Sequence, residues 1–192
     1  MNSHESKLAR LRAELAAGGP GGIGLAKSTS NLFRDRERQT RPRVDLSGFN
    51  EVVEVDAARS RVSAEGMTTY ADLVDATLAH GVMPCVVPQL KSITIGGAAS
   101  GVGIEASSFR YGLVHDTLLA LEVLLADGSI ATCTPENKHR DLFYGFPNSY
   151  GTLGYALSLT IELEPVAPYV HLRHFAFTTP EACMEEIGRA HV

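Results

Sequence analysis

The run Thr94-Ile95-Gly96-Gly97-Ala98-Ala99-Ser100-Gly101-Val102-Gly103-Ile104-Glu105-Ala106 decides how this chain is read. Four glycines and four further small residues leave few side chains to pack. Such positions let backbone approach a ligand closely, and successive N–H groups can face phosphate oxygens without a cation. Glycine and alanine also serve tight turns and close helix packing, so composition alone admits both readings. Gly101-Val102-Gly103-Ile104-Glu105-Ala106 has the spacing of the G-x-G-x-x-G/A dinucleotide fingerprint. That motif needs a strand just before it, an amphipathic helix just after, and an acid about 20 residues on. Residues 92–95 could form a strand, but they stand several residues short of Gly101. Ser107-Ser108-Phe109-Arg110-Tyr111-Gly112 has no helical stripe, and Glu122, near the right distance, lies inside an apolar run. A nicotinamide-type Rossmann fold is therefore disfavoured.

Working outward, residues 4–17 read as a short helix stopped by Gly18-Gly19-Pro20-Gly21-Gly22. Lys27-Ser28-Thr29-Ser30-Asn31 is too hydroxyl-rich for a helix interior. Residues 44–46 and 52–55 read as short strands around the turn Ser47-Gly48-Phe49-Asn50, and residues 61–65 alternate in the strand manner. Residues 69–80 are the clearest helix, with Leu73, Val74, Ala76, Thr77 and Leu78 on its apolar face. Thr68 or Thr69 is its N-cap and Gly81 its stop. Residues 83–87 then form a buried strand, so residues 62–87 read strand, helix, strand, a crossover that suits a parallel pair. After Pro88 the pattern changes. Residues 118–125 and 130–134 flank the hairpin signal Asp127-Gly128, and residues 156–163 alternate again. The expected architecture is α+β: a small parallel α/β subdomain followed by a mainly antiparallel sheet with helices. The expected divisions are an N-terminal helix and linker over residues 1–22, subdomains over 23–88 and 89–168, and the start of a truncated C-terminal cap domain over 169–192.

A net charge of −5 argues against a nucleic-acid footprint. The basic cluster Arg34, Arg36, Arg38, Arg41 and Arg43 reads first as a solvated loop and second as an anion-facing rim. Cys85, Cys133 and Cys183 are odd in number and never spaced Cys-x-x-Cys, which disfavours a disulfide framework or zinc site and suggests a reducing compartment. No apolar run approaches the roughly 20 residues needed to span a bilayer, so the expectation is a cytoplasmic protein. Ile187-Gly188-Arg189-Ala190-His191-Val192 equals one frame of a common sequencing-adapter oligonucleotide followed by a stop, and is expected not to belong to the natural gene.

From residues 44 to 172 the chain resembles the FAD-binding domain of the vanillyl-alcohol oxidase and p-cresol methylhydroxylase class. Several short pieces carry the likeness: the Thr-Ile-Gly-Gly…Gly-x-Gly-Ile-Glu run, Arg110-Tyr111-Gly112-Leu113, Leu125-Ala126-Asp127-Gly128-Ser129, Cys133-Thr134-Pro135, Asp141-Leu142-Phe143-Tyr144 and Gly151-Thr152-Leu153-Gly154. Their order and spacing are most similar to Δ24-sterol reductases and their bacterial relatives. The resemblance implies FAD held in an extended pose between two subdomains, with residues 94–106 around the pyrophosphate and flavin edge. It places Lys27, Ser28, Thr29, Ser30 and Asn31 at the class's first phosphate loop, which is usually glycine-rich, and Gly151 and Gly154 near the cofactor. A polar turn explains the first set equally well, and a tight turn explains the two glycines. Some members attach flavin through His or Cys. No His stands between Gly24 and Arg34 and no Cys between Gly96 and Gly112, so noncovalent FAD is expected.

His115-Asp116 could touch the cofactor, although a turn-capping pair is simpler. His171 and His174 sit three apart in an alternating stretch, which calls for no metal. Ser149 and Ser158 lack the G-x-S-x-G setting of a hydrolase nucleophile. The implied activity is FAD-dependent reduction of a carbon–carbon double bond in a sterol-like or other lipid substrate, with a nicotinamide electron donor. The alternatives are an FAD-linked hydroxy-acid or alcohol dehydrogenase and a flavin-binding module without catalysis. No catalytic acid or base is assigned.

Overall fold

Strict alternation makes residues 155–165 the centre of the molecule. In this strand, β8 (Tyr155–Pro165), Leu159, Ile161 and Leu163 are buried while Glu162 is exposed and Thr160 half-covered, the pattern of a strand with one apolar face. The computed structural model describes residues 3–17, 24–26 and 43–190. Around β8 it builds a sheet of β3 (Val52–Asp56), β4 (Arg61–Glu65), β6 (Leu118–Leu124) and β7 (Ile130–Cys133), in the order β3-β4-β8-β6-β7, antiparallel throughout. The β6–β7 turn is the expected one: Gly128 adopts φ 83° and its N–H donates to the Leu125 carbonyl.

The strand–helix–strand unit differs from expectation in one respect. Helix α2 (Tyr70–Leu78) does follow β4, with Thr69 as N-cap accepting from the Asp72 N–H at 3.2 Å, and leads to β5 (Val82–Pro84). β4 and β5 do not pair with each other, because each pairs antiparallel with β8. Leu163 N–H donates to Ser60 while the adjacent Glu162 carbonyl accepts from Cys85. Successive residues of a strand direct their backbone groups to opposite edges, so β8 lies between the two. The parallel pair of the fold is instead β1 (Gly24–Ala26) with β2 (Arg43–Asp45). Strands from both sides of Pro88 share the six-stranded sheet.

Both faces of the sheet are covered, and a β-bulge sorts residues between them. Ala156 pairs with Val123 and Ser158 with Glu122, so Leu157 is an extra residue in β8. Ala156 and Leu159 consequently pack toward α2 and the short helix α3 (Ile95–Gly101), in a core with Tyr70, Leu73, Val62, Ala64 and Ile95. Leu157 packs on the opposite face with Leu8 and Leu11 of α1 (Ser3–Ala17), Val44, Leu46, Phe49 and Leu124. Burying each such leucine contributes about 1.5–3 kcal/mol, enough to dock a helix that is otherwise mostly polar. Helices α4 (Ser108–Tyr111) and α5 (Arg140–Gly145) are single turns near α3 and β7, and α6 (Pro180–Ala190) ends the described chain. Residues 166–179 form neither helix nor strand, and Tyr169, Val170 and Leu172 are exposed there. No helix among the described residues is long and apolar enough to cross a membrane.

Candidate functional site

The glycine-rich run is a helix with two unlike faces, not a phosphate-cradling loop along its whole length. Thr94, Ile95, Gly96, Ala98 and Ala99 are buried. The amides at its start already have acceptors: Ile95 N–H donates to the Thr68 carbonyl, Gly96 to Gly66, and Gly97 to Thr94 Oγ1 at 3.2 Å. Gly96 is glycine for packing, since a Cβ there would lie 2.7 Å from the Gly66 oxygen and 3.2 Å from Ala156 Cβ. The first part of the run therefore serves helix-on-sheet contact. Thr94→Ala should remove the N-cap and cost about 1 kcal/mol, read as a lowered denaturation midpoint in urea.

The other face and the end of the helix are different. Gly97, Ser100 and Gly101 fall at i, i+3 and i+4, on one side of α3, and each is only half-buried. A Cβ on Gly101 would meet only the Tyr150 ring edge, at 3.7 Å. Val102 then takes φ 59° and ψ 93°, a conformation that β-branched residues rarely adopt. Gly103 is held against Val114, whose N–H donates to its carbonyl and whose Cγ2 would be 2.7 Å from an added Cβ. Among the described residues the Ile104 amide has no acceptor. Ile104 and Ala106 are exposed, and Glu105 is half-buried with its N–H donating to Ser108 Oγ at 2.9 Å.

Strain and unsatisfied polarity both gather here. Asn148 and Tyr150 also have positive φ, and Tyr150 N–H donates to the Ser100 carbonyl at 3.0 Å, tying that loop to α3. Three buried polar side-chain atoms lack a partner among the described residues: Tyr70 hydroxyl, His115 Nδ1 and Ser149 Oγ. Each lies next to this segment, His115 beside Val114, Ser149 beside Tyr150, and Tyr70 where burial and the Glu105 charge both raise its hydroxyl pKa. Buried polar groups are normally paired, so three orphans near the 103–105 segment and the Tyr150 loop fit a polar ligand. Sequence reading weighed His115 and passed over Tyr70, Asn148 and Tyr150, because an unsatisfied or strained position has no signature until its neighbours are known.

The remaining expected positions are placed as follows. Gly151 (φ 82°) lies under the Tyr155 ring, and Gly154 (φ 140°) is buried with its Cα hard against the Leu124 carbonyl of β6. Lys27, Ser28, Thr29, Ser30 and Asn31, with Arg34, Arg36, Arg38 and Arg41, lie outside the described residues. Glu122 is taken up by His4 and Ser158, at 2.8 and 2.7 Å, which removes it as the ribose acid of a Rossmann unit. A separate cavity of about 570 Å³ is lined by Arg59, Arg61, Cys85, Tyr111, Glu162 and Glu164. Its polar groups largely satisfy each other: Arg59 and Arg61 reach Asp56 at 3.4 Å, and Tyr111 donates to Glu164. Cys85 there is pushed up to about 11 by burial and by the two glutamates, so its thiol stays protonated at neutral pH.

Residues 27–134 match the model of the FAD binding domain family. That is more than half of the chain. The chain belongs to the FAD binding domain family. It is 36% identical over 140 residues to a Delta(24)-sterol reductase of Pisum sativum, covering 73% of this chain and 25% of that protein. Against the Homo sapiens Delta(24)-sterol reductase it is 39% identical over 123 residues, 64% of this chain and 24% of that one. Cytokinin dehydrogenase 6 of Oryza sativa subsp. japonica is 33% identical over 117 residues, 61% and 22% of the two chains. The chain thus spans about a quarter of the length of these relatives. In fold it matches 6-hydroxy-D-nicotine oxidase from Arthrobacter nicotinovorans, with a TM-score of 0.66 at 20% identity over 82% of this chain and 34% of that one. The FAD-binding fold expected from the resemblance over residues 44–172 is therefore the fold observed.

Proposed function

We propose that this chain is the flavin-holding part of an FAD-linked oxidoreductase that reduces a carbon–carbon double bond in a sterol-like or other lipid substrate. A nicotinamide donor reloads the flavin, which is bound without a covalent link. The observation that carries the reading is the side-chain-poor face of α3 running into the Ile104 amide, which has no acceptor among the described residues, within an FAD binding domain. Similarity to the Delta(24)-sterol reductases supports the reaction class.

Bound FAD would supply the hydride chemistry. The chain's own residues bind and orient it. Gly97, Ser100 and Gly101 admit close approach, and Ile104 offers its amide to phosphate oxygen. Tyr70, Ser149 and His115 contribute polar atoms in want of partners. Lys27, Ser28, Thr29, Ser30 and Asn31 are proposed as donors from the first loop. The protonated thiol of Cys85 is a poor nucleophile toward a flavin, in keeping with noncovalent binding. Residues 169–192, with exposed Tyr169, Val170 and Leu172, are proposed as the start of a further domain that shapes the substrate site.

The purified chain incubated with FAD should retain flavin absorbance through gel filtration. Anaerobic addition of NADPH to longer natural protein carrying this domain should bleach that absorbance. Bleaching by a hydroxy acid but by neither NADPH nor NADH would replace the reductase reading with a dehydrogenase.

A further inference from the structure

We propose that His4 is a pH-sensitive clasp that holds α1 on the sheet and so positions the β1–β2 strand pair, an inference whose FAD-affinity arm rests on the proposed cofactor binding. Glu65 of β4, Ser158 of β8 and Glu122 of β6 are register partners, forming one polar row across three strands. By strand alternation this row lies on the α1 face, opposite Ala64, Leu121, Val123 and Leu159 of the other core. His4 closes over it, with Nδ1 2.8 Å from Glu65 Oε1 and Nε2 2.8 Å from Glu122 Oε2. Two carboxylates can be served at once only by the imidazolium, which donates from both nitrogens. Neutral imidazole has one donor and turns a lone pair on the second carboxylate.

The surroundings make that charge matter. Glu65 is fully buried and His4 is 12% exposed, so neither is well served by water. Glu65 also accepts from Lys7 Nζ at 2.6 Å and from the Glu51 N–H at 2.9 Å. The Glu51 carboxylate is 3.2 Å from Lys7, Ser158 Oγ donates to Glu122, and the Phe49 ring stands edge-on to the imidazole. Three carboxylates thus face one imidazolium and one ammonium. Burial by itself would lower the His4 pKa, but hydrogen bonds to Glu65 and Glu122, with their charges, outweigh it and the net shift is upward from 6.5. A histidine raised on folding contributes stability that is complete below 6.5 and lost as pH rises through the raised value. Below α1 lie Leu25 of β1 and Val44 of β2, in the same apolar cluster as Leu8 and Leu11. Loosening the helix uncovers the parallel strand pair.

Hydrogen exchange of the α1 amides, corrected for intrinsic pH dependence and compared with β8, tests the clasp in protein without FAD. Between pH 6 and pH 9 protection of α1 should fall severalfold, while β8 is unchanged. FAD affinity, titrated by fluorescence in the same buffers, should fall in parallel. His4→Gln and Glu122→Gln should each give low protection at pH 6 and remove the pH dependence. Constant α1 protection in the wild type, or an unchanged pH slope in His4→Gln, overturns the clasp. Protection that falls while FAD affinity holds steady overturns the positioning role. Failure to bind FAD at any pH would count against the cofactor reading, and α1 exchange would still decide the clasp.

Discussion

Gly66→Ala should severely destabilise the fold, although it adds a single methyl group. Gly66 follows β4 and lies where β8 bulges. A Cβ there would fall 2.0 Å from the Ala156 carbonyl oxygen and 2.8 Å from its carbon. Both are backbone atoms of the central strand, so no side chain can rotate aside. Gly66 also donates its N–H to the Leu157 carbonyl and accepts from Gly96, which pins it from two sides. Relief would require separating β8 from the β4–α3 junction and losing those hydrogen bonds together. The expected cost is more than about 4 kcal/mol, in the range reserved for disrupted cores. At this chain length that corresponds to a fall in Tm of roughly 10 °C or more. A thermal scan by circular dichroism decides it; a variant melting within a few degrees of wild type would show that the strand junction gives way easily.

Gly101→Leu should have the opposite profile: a folded protein that no longer holds FAD. Its added Cβ has only the Tyr150 ring edge as neighbour, at 3.7 Å, and a non-glycine residue favours a helix by up to about 1 kcal/mol. The leucine would project from the face shared with Gly97 and Ser100, into the space assigned to the cofactor. Overlap with a rigid ligand costs about 1–3 kcal/mol. Affinity for FAD should therefore drop by up to roughly 100-fold. Flavin fluorescence titration gives the affinity and a urea melt the stability. Wild-type affinity in a stable Gly101→Leu protein would place the cofactor on some other face of the molecule.

These two glycines stand for the general division. Hydrophobic alternation and turn chemistry located most elements within a residue or two. α2 with its Thr69 cap, the β6–β7 hairpin at Asp127-Gly128 and β8 all form where local preference places them. Local pattern also singled out residues 94–106. It could not say which member of that run turns inward. Gly96 and Gly101 look alike in sequence and differ only in what stands across from them, the Gly66 carbonyl in one case and largely open space in the other.

Local pattern and the order of the short motifs determined the class of fold, most of the strands and the segment proposed to meet the cofactor, because those depend on near neighbours in the chain. Tertiary structure alone decided that β8 separates β4 from β5, that a bulge at Leu157 divides the two cores, and that Glu122 serves His4. Each depends on a contact between residues far apart in sequence, where the energy belongs to the pair and neither member announces its partner.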